Sequence, residues 1–73
     1  MTLDEQKEIV AQKACYFVAE QLEGKKIKVT DSFRLMGFLS SGIEGADSEA
    51  DLKKLAEEMK QVYASLSAFD PGI

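Results

Sequence analysis

From Leu52 to Phe69 the large apolar residues fall at Leu52, Leu55, Met59, Val62, Leu66 and Phe69, alternating gaps of three and four. That rhythm belongs to a helix with one buried stripe, and it constrains this chain more than any other feature. It predicts a helix from about Ser48 to Ala68, with Asp47 or Ser48 as cap and acids in the first turn. Ala56 and Tyr63 flank the stripe. The tail Asp70-Pro71-Gly72-Ile73 cannot continue it, because proline breaks the hydrogen-bond ladder.

A second periodic segment lies at the other end. Leu3, Val10, Ala14, Phe17, Val18 and Leu22 share one side of a helical wheel, widened to about half the circumference by Ala11, Cys15 and Ala19. Thr2 is placed to cap this helix, Glu5 to complete a capping box, and Gly24 to stop it. Ile9 and Tyr16 fall on the opposite, charged side.

Between these two, residues 25–30 alternate polar and apolar, as a strand does, but no second strand signal exists in the chain. An extended linker is therefore expected. A shorter helix should follow from Asp31 or Ser32 to Gly42, capped by Thr30 or Asp31. Phe33, Leu35, Met36, Phe38 and Leu39 spread around most of its wheel, the pattern of a buried helix. Gly37 stands where another backbone could approach, and residues 42–47 read as a loop. The expected architecture is all-α: one domain, residues 1–73, with helices at about 3–23, 31–41 and 48–68. Its connections are short enough to fold consecutive helices back on one another.

A chain of 73 residues has little core to spare, and small domains lean on disulfides, metals, tight packing or association. One cysteine excludes an internal disulfide, and the absence of histidine removes the usual zinc ligands. It also removes the commonest general base and every histidine-activated nucleophile, so the chain reads as a non-enzyme with no cofactor and no metal. Cys15, mid-helix among small apolar residues, reads as an inert core thiol. The acids from Glu44 to Asp51 lack the ligand alternation of a calcium loop. No apolar run is long enough to span a membrane, and an acidic start with a lone thiol suits the cytoplasm.

Asp31-Ser32-Phe33 resembles the Asp-Ser-Leu of acyl carrier proteins, whose serine at the start of the second helix carries phosphopantetheine. Length, acidity and helicity also fit, and the resemblance would place that group on Ser32. The chain departs from the family in having a short connection before the serine. It also departs in carrying Arg34-Leu35-Met36-Gly37-Phe38-Leu39 where an acidic recognition helix is expected.

Packing and association remain as the sources of stability. The middle helix and the Ile9–Tyr16 pair exceed what three helices can hide, and contiguous exposed apolar surface on a small protein marks a binding site. The expected function is a protein–protein interaction or regulatory module, self-associating as a homodimer, with Phe33, Leu35, Met36, Phe38 and Leu39 as contacts and Ile9 with Tyr16 as a second patch. A dimeric helical bundle would absorb the excess. The alternative is a nucleic-acid-binding regulator. Residues 24–43 sum to +3 against a net charge of −4, and Lys25, Lys26, Lys28 and Arg34 could meet phosphates. The acidic remainder would oppose that.

Overall fold

The computed structural model describes residues 1–73 as three helices and no strand: α1 (Leu3–Glu23), α2 (Val29–Glu44) and α3 (Glu49–Val62). No helix is long and apolar enough to cross a membrane.

Helix α1 has the expected bounds. Glu5 N donates to the Thr2 hydroxyl at 3.2 Å, and Thr2 N donates back to Glu5 Oε1 at 3.2 Å, closing the capping box. The bond from the Thr2 backbone, followed by one that the Thr2 hydroxyl donates to the same Glu5 Oε1 at 2.9 Å, holds the Glu5 carboxyl below its ordinary pKa. At the other end Lys26 N donates to Gln21 O and Lys25 N to Leu22 O, the paired bonds of a Schellman ending. The left-handed residue this ending requires is Lys25, at φ 54°, while Gly24 keeps φ −77°.

The connection to α2 is shorter than the expected linker, because α2 begins at Val29 with Lys28 as a cap that makes no side-chain bond. Thr30 and Asp31 lie inside its first turn rather than capping it, and Asp31 there meets the positive end of the helix dipole. Helix α2 also runs through Gly42 to Glu44. A Cβ at Gly42 would stand 2.5 Å from Leu55 Cδ1, so this glycine lets α3 lie against α2. At Gly37, where close approach was expected, nothing comes within 4 Å.

Helix α3 is capped by Ser48, and Asp51 accepts from Asp47 N at 2.9 Å. It ends at Val62, six residues before the expected Ala68, as Tyr63 leaves helical geometry at φ −123°, ψ 56°. Continuing the helix would carry Leu66 and Phe69 past the end of the core. Instead the chain turns back across α1. Phe69 is buried with its ring 5.3 Å from that of Phe17, edge to face, and Val62 is left 60% exposed. The tail is tied down by Ser67 N donating to Gln21 Oε1 at 3.4 Å and Lys26 Nζ donating to Ser67 Oγ at 3.2 Å.

One hydrophobic cluster joins these parts: Val10, Ala14, Phe17 and Val18 from α1, Leu35 and Leu39 from α2, Leu52, Leu55, Ala56 and Met59 from α3, with Ala46 and Phe69. Gln21 lies in the same interior at 2% exposure, its amide oxygen satisfied by the tail.

Candidate functional site

The helix expected to be buried all round is buried on one side only. Leu35 and Leu39 are wholly buried and offer no surface to a partner. Phe38 is half-buried, edge to face with Tyr63 at 6.1 Å between ring centres. Met36 is half-buried. Phe33 alone of the five stands out, 72% exposed, with Val29 exposed one turn earlier. Two of the five expected contacts thus belong to the core and a third packs within the chain. The apolar wheel of α2 divides between an inner wall, which α1 and α3 cover, and an outer stripe.

That outer stripe is Val29, Phe33, Met36, Ser40 and Ile43, at gaps of four, three, four and three. It borders a parallel line on α1. Met36, Ser40, Ile43 and Glu44 line one wall of a shallow groove, and Ala11, Ala14 and Cys15 line the other. The small side chains of α1 make the groove, and the large ones of α2 make its ridge. Cys15 is exposed, not a core thiol, because it lies at the margin of the apolar half of α1. Leu22, Lys25, Lys28 and Val29 line a hollow at the end of the groove where α1 turns into α2. At the other end Lys7 Nζ donates to Glu44 O at 3.1 Å. The sequence placed Ala11 and Cys15 on the apolar side of α1 without marking them as a groove, and it missed Val29, Ser40 and Ile43, because Val29 was read as linker, Ile43 as loop, and Ser40 interrupts the apolar pattern.

The Ile9–Tyr16 pair does not form a patch. A Cβ added at Gly72 would come within 3.4 Å of Ile9 Cγ2 and 2.9 Å of Lys13 Cε, so the returning tail covers Ile9. Tyr16 remains 71% exposed by itself.

The basic residues are only partly gathered. Lys25, Lys26 and Lys28 share the α1–α2 turn, but Lys26 is engaged with Ser67. Arg34 lies six residues beyond Lys28, about a third of a turn around the helix from it. Ser32, the position matched to the carrier-protein serine, is buried, and its hydroxyl donates to Val29 O. A serine so enclosed is not offered to a modifying enzyme.

No three acidic or thiol side chains converge in the geometry of a metal site. The ion pairs, Glu49–Lys53 and Glu57–Lys60, each 3.6 Å and exposed on α3, contribute little to stability. Comparison with known family models, with characterised proteins and with solved structures finds no match.

Proposed function

We propose that this chain is a non-enzymatic helical interaction module that self-associates through the outer face of α2, in the reducing cytoplasm where a free exposed thiol persists. The observation that carries this is Phe33. Its ring is 72% exposed one turn before Met36, which lines the groove between α1 and α2, on a helix whose inner side is already filled. A phenyl ring held in water is costly, and burying it fully is worth about 1.5–3 kcal/mol. Aromatic anchors set against pockets of small residues dominate protein interfaces.

Sedimentation equilibrium of the wild type and of Phe33→Glu tests this. The wild type is expected to associate over the micromolar range. Phe33→Glu is expected to keep its helix content and thermal unfolding and to remain monomeric. A wild type that stays monomeric at hundreds of micromolar would overturn the proposal. Phe38→Glu serves as the contrast. Its ring packs on Tyr63, so that change should lower stability even in the monomer.

A further inference from the structure

The face described above is polarised along its length. At one end, around the α1–α2 turn, stand the exposed Lys25 and Lys28. At the other stand the exposed Asp4 and Glu8 of α1 and Glu44 of α2, in excess over the Lys7 ammonium that is held to Glu44 O. Glu8, Ala11, Cys15, Ala19 and Leu22 follow one another at gaps of three and four, so the acid and the groove lie on one line of α1, which ends at Leu22 beside Lys25 and Lys28. On α2, Lys28 precedes Val29 as the N-cap and Glu44 follows Ile43 as the last residue, one at each end of the stripe.

Resting on the proposed self-association, we infer that the occupant of this face is a second copy of the chain, docked antiparallel about a two-fold axis that crosses the helices. Two copies placed face to face can be related by an axis along the helices or across them. An axis along the helices sets lysines against lysines and acids against acids. An axis across them sets the Lys25–Lys28 end of each copy against the Glu8–Glu44 end of the other, twice over. Between Glu8 and Lys25 the midpoint of the chain falls between Tyr16 and Phe17, within a turn of Cys15, and between Lys28 and Glu44 it falls at Met36. Both helices therefore place the axis at the same level of the groove, where Cys15 and Met36 face each other. Helix α1 then lies on α1 of the second copy and α2 on α2, a four-helix layer with α3 outside. The small residues of α1 admit close approach, and Phe33 and Met36 supply the contact area.

The size of the face bears on the kind of contact. A stripe about 30 Å long, from the 21 residues of α1 at about 1.5 Å each, and two helices wide offers on the order of 600 Å² per copy. Stable dimers commonly bury about 800 Å² per partner. A face of this size falls in the range of small, transient contacts, and the proposed pairing is a reversible one.

Charge reversal in two complementary variants tests the arrangement. K25E/K28E makes both ends acidic, and E8K/E44K makes both ends basic; all four positions are exposed. Each variant alone is expected to raise the dimer dissociation constant by roughly tenfold or more, because both ends of its homodimer now repel. Mixed one to one, the two should pair at near wild-type affinity, since in the mixed dimer each acidic end meets a basic one. Circular dichroism verifies that both keep wild-type helix content. A wild type that never dimerises removes the self-association itself. A wild type that dimerises while the variants behave like it, or fail to restore pairing when mixed, leaves the self-association standing and overturns the antiparallel arrangement.

Discussion

Lys25 holds φ 54°, a backbone conformation that glycine enters freely and a side chain enters at a cost of about 1–2 kcal/mol. Lys25→Gly should therefore raise stability by up to about 1 kcal/mol, measured as the urea midpoint at concentrations where the chain is monomeric. Gly37 and Gly42 differ in the same measurement. Alanine at Gly37 meets open space and should gain about 0.5–1 kcal/mol of helix propensity. At Gly42 alanine strikes the buried Leu55 and should lose about 1–3 kcal/mol. Glu5 supplies a pH dependence. Its folded pKa is lowered, so its stabilisation is complete above the unfolded value of about 4.3 and fades as acid takes the pH through the folded value. Glu5→Gln should flatten the stability profile below about pH 5. The sequence located the end of α1 at Gly24, one residue from the strained position. It gave no means of telling which glycine of α2 faces another helix, because that depends on where α3 lies.

Helix starts fixed by side-chain caps were legible: Thr2 with Glu5, and Ser48, hold the positions their chemistry implies. Helix ends decided by tertiary contacts were not. The spacing through Leu66 and Phe69 is a sound helical pattern, yet α3 stops at Val62 and Phe69 packs against Phe17, a partner that local spacing does not reveal. Gln21 is the hidden partner in that exchange. Nothing in its sequence context marks it as the buried acceptor for Ser67 N. Phe69→Ala should cost about 3 kcal/mol or more by removing a buried ring, and should release the tail to proteolysis. Gln21→Leu, which removes the acceptor of Ser67 N, should loosen the same segment by about 0.5–1.5 kcal/mol, since Ser67 is exposed and water can replace the bond.

At the scale of the molecule the all-α plan followed from periodicity and from the absence of any second strand signal. The apolar surplus was also legible, but its location was only partly so. A wheel counts apolar residues without saying which side its neighbours will cover; Leu35 and Leu39 went inward and Phe33 outward. Cys15 reports on the outcome. In the monomer it is exposed and should react with a maleimide reagent at close to the rate of an unfolded thiol. In the antiparallel pair it sits at the axis, so its alkylation should slow as protein concentration rises through the micromolar range. A rate independent of concentration would count against burial of that face.

The returning tail also sets an order of events in folding. Helices α1 and α2 are neighbours in sequence and can zip together through local contacts. The Phe17–Phe69 and Gln21–Ser67 contacts join residues about fifty positions apart, so their loop must close before they contribute anything. The strap should therefore form after the rate-limiting step. Phe69→Ala should leave the refolding rate nearly unchanged and place almost its whole effect in faster unfolding. The last eleven residues thus act as a clasp: they set how long the fold stays shut once made, rather than how quickly it is found.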